Sequence, residues 1–314
     1  MSVVIARAAI VGGGAWGAAF GAAIGGGSGC DICFWDREPE QSRLAAEAAG
    51  GGCHERLEDA VSGSDCVIIA VSSGGFADVL RRLSDYPNPL LWLTKGFCGG
   101  SRLLCETAAE LLPPTSCFGA ISGPTFACEV SRGLPAAMAI AVNHTGRLSG
   151  IQSALHRRRL RLYPSDDLAG VCVGGALKNI IAVAAGISDG MNLGANARAA
   201  MITRGLAEMR AFNRAIGGKD ETINGIAGVG DLLLTATSDL SRNRRLGLAL
   251  GAGKPPPRGL TLEGDAAAEA AVCRAARLGV EVPIIAAVCA VLREGLSPTE
   301  AVEMLLSRPP PCAP

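Results

Sequence analysis

Net charge is what this sequence lacks first: across 314 residues, 29 basic side chains cancel 29 acidic ones, and charged residues make up only 18%. Without a basic excess there is no electrostatic case for nucleic acid or an anionic membrane surface as a partner. Histidine is scarce. His54, His144 and His156 lie far apart in sequence without ligand-type neighbours, so no metal site is expected. An uninterrupted apolar run of about 18 residues, the minimum for a membrane span, is also missing. The nearest approach, Val171 to Ile187, contains Lys178, Asn179 and several glycines and reads as a core helix, so no stable membrane insertion is expected. The first eleven residues are mildly apolar but run straight into a glycine turn, which reads as a strand and not as a signal peptide. A cytoplasmic protein is the expectation.

Hydrophobic residues make up 49% of the chain, and its length suggests about two domains with a large core. The twelve cysteines are scattered singly through apolar runs, as at Cys66, Cys172, Cys273 and Cys289. That usage fits small buried hydrophobes in a reducing compartment, not a disulfide framework. Cys30 and Cys33 form a C-x-x-C, but Cys33 falls in an expected strand and no second pair completes a zinc site.

The first half alternates strands with helices. Strands are expected at Val3–Val11, Ile32–Trp35, Cys66–Val71, Leu90–Thr94, Cys117–Ile121, Pro135–Val142 and Leu160–Tyr163. Helices between them include Ala15–Ile24, Gln41–Ala49, Gly75–Leu83 and Ser101–Leu111. This alternation predicts an α/β fold, a Rossmann-like doubly wound parallel sheet. After about Pro164 only helical patterns remain: Leu168–Ile187, Ala195–Ile216, Asp220–Ala227, Asp231–Thr237, Arg242–Ala249, Gly264–Leu278, Ile284–Leu292 and Pro298–Leu306. The expected division is a dinucleotide-binding domain at 1–164 and an all-α substrate domain at 165–314. Pro255-Pro256-Pro257 reads as a loop and Pro309–Pro314 as a frayed end.

Lys178 is the only acidic or basic side chain between Val171 and Ile187. A buried ammonium is normally neutralised, paired or used, because leaving it alone is expensive. Burial also lowers a lysine's pKa toward the range where it exchanges protons near neutral pH. The plain alternative is a lysine snorkelling from a helix end.

Gly12, Gly14 and Gly17 fit G-x-G-x-x-G directly after the first expected strand and at the start of a helix. The first glycine permits the turn, the second the approach of a pyrophosphate, and the third close packing of helix on strand. Asp36 and Arg37 follow the second strand. An acid there binds the ribose 2′-OH of NAD, whereas an arginine accepts the 2′-phosphate of NADP, so the choice stays open with a tilt to NAD from Asp36.

Four loops complete the candidate site. They are Leu93-Thr94-Lys95-Gly96, Ser122 to Phe126, Gly228 to Asp231, and Ser241-Arg242-Asn243-Arg244-Arg245. The last offers forked and amide donors suited to a phosphate. Taken singly, Lys95 could be a solvated strand-end lysine, Asp231 an N-cap, and Arg242 to Arg245 an exposed helix start.

With these segments in order, the chain resembles the bacterial-type NAD(P)-dependent sn-glycerol-3-phosphate dehydrogenases along nearly its whole length. Further matching blocks are Gly174 to Asn179, Ser188 to Gly190, Gly194 to Arg198, Ile202 to Glu208, Gly228 to Thr235 and Ser241 to Gly247. The resemblance implies hydride transfer between NAD(P)H and dihydroxyacetone phosphate, supplying glycerol 3-phosphate to phospholipid synthesis. It implies that Lys178 is the catalytic lysine, that Lys95 is a second lysine near cofactor and substrate, and that Asp231 orients the catalytic lysine and the glycerol hydroxyls. Gly123, Thr125 and Asn179 match substrate positions, and Ser241, Arg242 and Asn243 the phosphate binders. Ala15, Trp16, Arg37, Ala127, Arg242 and Glu263 match cofactor contacts. Cys128, Asp36 and the stretch Asp265 to Ala267 depart from the family's usual residues. A homodimer is expected. Two competing readings are a catalytically inactive NAD(P)(H)-binding sensor and a related 3-hydroxyacid dehydrogenase. The intact lysine–aspartate set argues against the first, and Ser241 to Arg244 against the second.

Overall fold

The computed structural model describes residues 4–25, 30–255 and 263–309, with side chains from 266 onward in the last segment. The strands are β1 Arg7–Val11, β2 Asp31–Trp35, β3 Gly52–Cys53, β4 Cys66–Ile69, β5 Leu90–Trp92, β6 Phe97–Cys98, β7 Arg102–Leu103, β8 Phe118–Ser122, β9 Ala136–Val142 and β10 Leu160–Pro164. The helices of the first half are α1 Ala15–Gly25, α2 Pro39–Ala49, α3 Leu57–Val61, α4 Ser73–Arg82, α5 Leu104–Leu111, α6 Ala127–Val130 and α7 Thr145–Leu155. Those of the second half are α8 Leu168–Gly190, α9 Gly194–Ala215, α10 Asp220–Asn224, α11 Asp231–Thr237, α12 Arg242–Gly251, α13 Glu263–Leu278, α14 Pro283–Arg293 and α15 Pro298–Leu306. A π turn, Ile226–Gly230, leads into α11.

The main sheet has the order β10-β9-β8-β5-β4-β1-β2-β3. Its central strands are apolar on both faces: every residue of β4 is buried, as are the last four of β1. That pattern requires helices on both sides, which the crossover helices supply. The chain order reverses between β1 and β4, and the carboxyl ends of these strands open the crevice where such sheets bind ligands.

The sheet is parallel as expected, except at one place. From β3 to β8 all neighbours run parallel, but β9 pairs antiparallel with β8. The link from β8 to β9 contains only the four-residue α6, roughly 6 Å long. It cannot carry the chain back along the sheet, so β9 returns in the opposite direction. β10 then pairs parallel with β9.

Other boundaries shift for local reasons. β1 begins at Arg7, and of the strand expected from Val3 the first residue lies outside the described residues. The helix expected from Ser101 begins at Leu104, because Arg102–Leu103 pairs with Phe97–Cys98 across Gly99 and Gly100, both at positive φ. The helix expected over Asp220–Ala227 ends at Asn224 and passes into the π turn. Helix α7 was not foreseen; glycines 146 and 150 dilute its apolar face of Leu148, Ile151 and Leu155. Of the expected proline loop, Pro255 is irregular and Pro256 and Pro257 lie outside the described residues, as do residues 310–314 of the expected frayed end.

Among the described residues after Pro164, every regular element is helical. Helix α8 is buried without interruption from Gly170 to Ser188. By length and composition it could cross a membrane, yet 89% of its apolar window is buried inside the fold, as expected for a core helix. Its small residues let other backbones approach closely. A Cβ on Gly174 would lie 2.2 Å from the Ala227 carbonyl oxygen, and one on Gly186 at 2.2 Å from that of Arg244. The first approach seats the π turn, and so Asp231, against the middle of α8. The second seats α12.

Candidate active site

The glycine loop follows from backbone constraints. Gly12 has φ +116°, and a Cβ there would lie 2.7 Å from the backbone of Ala70 at the end of β4. A Cβ on Gly17 would lie 2.0 Å from the Gly12 carbonyl oxygen. Gly14 differs: nothing lies within 4 Å of its virtual Cβ. Gly14 and Ala15 are exposed at the N-terminus of α1, with Trp16 half-buried and edge-on to Phe20 at 6.1 Å. An open cradle of backbone N–H groups at the positive end of a helix fits a pyrophosphate.

Asp36 braces this loop. Its Oδ2 accepts from Gly13 N at 2.7 Å and its Oδ1 from Glu38 N at 2.9 Å. Arg37 is 88% exposed, with its guanidinium 3.7 Å from Glu38.

Beyond the sheet edge, three charged groups converge. Lys95 follows β5, where Thr94 Oγ1 donates to the Val71 carbonyl at 2.8 Å and Gly96 turns with φ +111°. Its Nζ donates to Asp231 Oδ2 at 2.6 Å. The other carboxylate oxygen accepts from Lys178 Nζ. Lys178 also donates to Thr235 Oγ1 at 2.9 Å, and that hydroxyl donates to the Asp231 carbonyl at 2.7 Å. Asp231 is fully buried, and Lys178 is 6% exposed. Gly175 makes room for Lys95: a Cβ there would lie 3.2 Å from Lys95 Cγ.

Lys178 therefore has partners, but one carboxylate balances two ammonium groups. Burial lowers its pKa to about 7, with the Asp231 charge opposing the shift and the Lys95 charge adding to it. A lysine at that value both donates and accepts protons at neutral pH. The surplus positive charge favours an anionic ligand.

Lys95 and Asn179 line a cavity of about 250 Å³ with Ser73, Gly74, Cys98 and Ala267. Ala266 and Ala267 thus stand at the cavity wall. Glu263 opens α13, and its side chain lies outside the described residues. Gly123 and Thr125 lie in the turn after β8, where Thr125 Oγ1 donates to the Gly123 carbonyl at 3.2 Å. Ala127 is the first residue of α6, and Cys128 beside it is exposed.

Ser241 is buried and caps α12, its hydroxyl accepting from Arg244 N at 3.2 Å. Arg242 is exposed and Asn243 half-buried on the first turn of that helix. This set stands farther along α8 than the lysine pair: Arg244 meets Gly186, eight residues and about 12 Å of helix rise beyond Lys178. Of the arginines read as anion donors, Arg244 is committed elsewhere. It is 7% exposed, donates to Asp189 Oδ2 at 2.6 Å and also pairs with Asp239.

Three features escaped the sequence reading. Thr235 was legible in principle, since i,i+4 spacing from Asp231 puts both on one helix face. The Arg244–Asp189 pair and the cavity wall at Ser73 and Gly74 join segments far apart in sequence and left no local signal. Of the C-x-x-C, Cys33 lies within β2, and burial raises both the Cys30 and Cys33 thiols.

Residues 53–147 match the family model for the NAD-dependent glycerol-3-phosphate dehydrogenase N-terminus, and residues 167–303 the model for its C-terminus. The glycerol-3-phosphate dehydrogenase (NAD(P)+) of Cupriavidus necator is 43% identical, over 95% of this chain and 97% of its own length. That of Nitrosococcus oceani is 49% identical, over 80% and 76% respectively. The crystal structure of glycerol-3-phosphate dehydrogenase from Coxiella burnetii has a TM-score of 0.90 at 36% identity, covering 97% of this chain and 99% of that one. The chain belongs to the NAD-dependent glycerol-3-phosphate dehydrogenase family.

Proposed function

We propose that the protein interconverts dihydroxyacetone phosphate and sn-glycerol 3-phosphate with NAD(P)H, and that Lys178 is the proton donor and acceptor. The observation that carries this reading is the buried Lys178–Asp231–Lys95 cluster at the sheet edge, with Lys178 brought to about 7. When bound, the reduced nicotinamide supplies the hydride. Lys178 hands its proton to the ketone oxygen as negative charge develops there, and takes a proton back in the reverse direction. Asp231 holds the amine in place through one carboxylate oxygen and Lys95 through the other. Lys95 adds positive charge where an alkoxide forms.

Ser241, Arg242 and Asn243 would hold the substrate phosphate at the N-terminus of α12, with Gly123, Thr125 and Asn179 around the carbon skeleton. Gly12, Gly14, Ala15, Trp16, Gly17, Asp36 and Arg37 would hold the cofactor, together with Lys95, Ala127, Arg242 and Glu263. In this reading residues 1–164 bind the nucleotide and 165–314 the substrate. The protein acts in the cytoplasm as a homodimer, and its product feeds phospholipid synthesis.

Purified protein should oxidise NADH or NADPH only when dihydroxyacetone phosphate is added, and Lys178→Met should abolish turnover while cofactor binding persists. Binding without turnover in the parent protein would favour a sensor. A panel of 3-hydroxyacids turned over in place of the phosphoketone would favour the related dehydrogenase class.

A further inference from the structure

Three consecutive arginines differ from most others in how their charge is balanced. Arg157, Arg158 and Arg159 lie in the turn between α7 and β10. The turn is closed by Arg157 N donating to the Leu160 carbonyl at 2.9 Å and Leu160 N to the Arg157 carbonyl at 3.2 Å. Elsewhere exposed arginines meet acids, as Arg81 meets Asp78, Arg82 meets Glu58 and Arg308 meets Glu281. Among the described residues none of the three has a carboxylate partner. Arg157 is half-buried, and neutral carbonyls hold its guanidinium: Nε donates to Ile24 at 3.0 Å, and Nη1 to Ala154 at 2.8 Å and His156 at 2.9 Å. Arg159 Nη1 donates to the Gly133 carbonyl at 2.8 Å. These bonds aim two guanidiniums without cancelling their charge, and burial lowers the pKa of Arg157.

The three side chains line a cavity of about 500 Å³, the size of a small-molecule site. No acidic side chain lines it among the described residues. Its apolar wall includes Val130 and the exposed Leu134. Arg157 taken alone is a cap on carbonyls at the C-terminal ends of α1 and α7. That role does not extend to Arg158, which is exposed and has no hydrogen bond or ion pair among the described residues.

We propose that this cavity binds an organic phosphate, with Arg157, Arg158 and Arg159 on the phosphate and the organic part against Val130 and Leu134. A guanidinium fork matches phosphate oxygens. Arg158 has all its N–H groups to offer, and Arg157 and Arg159 have those of Nη2. The site is separate from the glycine loop. Ala22 and Ala23, in its wall, lie about 10–12 Å of helix rise beyond Ala15, toward the opposite end of α1. It is also independent of the proposed reaction, since none of its residues is assigned to cofactor or substrate. Such a phosphate reaches the cavity either free in solution or as the headgroup of a phospholipid, and the two sources are separable.

The test is calorimetric titration of the whole protein with phenyl phosphate at low ionic strength, where charges are least screened, beside Arg158→Ala and Arg242→Ala. Arg158→Ala should weaken binding about tenfold, the scale of one charge-assisted contact. Its thermal midpoint should not move, because Arg158 makes no bond among the described residues. Arg242→Ala should retain the binding, which separates this site from the proposed phosphate site at α12. Inorganic phosphate should bind more weakly than phenyl phosphate, since it leaves Val130 and Leu134 uncovered; equal binding would overturn the organic assignment. A second arm sediments the protein with phosphatidylcholine vesicles, with and without phosphatidic acid. Sedimentation that needs phosphatidic acid and is lost in Arg158→Ala would make the source a lipid headgroup. Phenyl phosphate binding without sedimentation would make it a soluble ester. Binding of either probe that Arg158→Ala leaves unchanged, or no binding of either, would overturn the proposal.

Discussion

Lys95 Nζ and Asp231 Oδ2 are 136 residues apart in sequence and 2.6 Å apart in space. This bond ties the loop after β5 to the first residue of α11, and the same carboxylate also holds Lys178. The sheet half and the helical half meet through one buried acid shared by two lysines.

Asp231→Asn keeps the shape and removes the charge that balances both lysines. With the substrate at saturation, kcat should fall by about 100-fold or more, the scale of a lost acid–base arrangement. Urea denaturation should show a stability loss of about 3 kcal/mol, since breaking a buried pair leaves uncompensated charge. An asparagine variant with unaltered kcat would remove Asp231 from the chemistry.

Asp36 predicts a split effect. Asp36→Ala removes both ties to Gly13 N and Glu38 N, so KM for either reduced cofactor should rise. Removing this negative charge while Arg37 remains exposed should also shift preference toward NADPH. The ratio of kcat/KM values should move on the order of tenfold, about 1.4 kcal/mol, which neighbouring surface charges can supply. Equal effects on the two cofactors would show that Asp36 acts only through the loop.

Arg244 is predicted to act through position. Lysine offers one point charge in place of a fork that spans Asp189 and Asp239. Arg244→Lys should raise KM for dihydroxyacetone phosphate several-fold with a smaller change in kcat, because α12 carries Ser241, Arg242 and Asn243. Steady-state kinetics would separate the two parameters. A fall in kcat alone would contradict this assignment.

Two glycines should behave in opposite ways. A Cβ on Gly174 would lie 2.2 Å from a backbone oxygen of the π turn, so Gly174→Ala should cost about 1–3 kcal/mol of stability. Gly14→Ala meets no atom of the protein and should fold normally, yet weaken cofactor binding, because its methyl enters the space that fits the pyrophosphate. Thermal denaturation and cofactor titration of both variants would check the contrast.

Much of this was legible in the sequence for definable reasons. The glycine loop, the strands of the central sheet and α8 are local patterns, set by backbone geometry or by continuous apolar burial. Lys178 stood out because its neighbours are uniformly apolar, and Asp231 because it follows Gly228-Val229-Gly230 at a helix start. Their contact across 53 residues was not legible from periodicity; only resemblance to a family supplied it. The reversal at β9 depends on how short α6 is, a length that apolar patterning does not report. Asp36 stood out as an acid after the second strand, but its hydrogen bonds to Gly13 N and Glu38 N appear only once β2 lies beside β1. The Arg244–Asp189 pair is tertiary in the full sense: each partner reads alone as a surface charge.

The central claim is that Lys178, lowered to about 7, carries the proton in both directions. Its most direct test is a pair of pH–rate profiles on the same enzyme, one for ketone reduction and one for alcohol oxidation, each at saturating cofactor and substrate. Reduction needs the ammonium form, so its rate should be full below about 7 and fall as pH rises through that value. Oxidation needs the free amine, so its rate should rise over the same interval. Two profiles moving in the same direction through that interval, or neither changing there, would contradict the account.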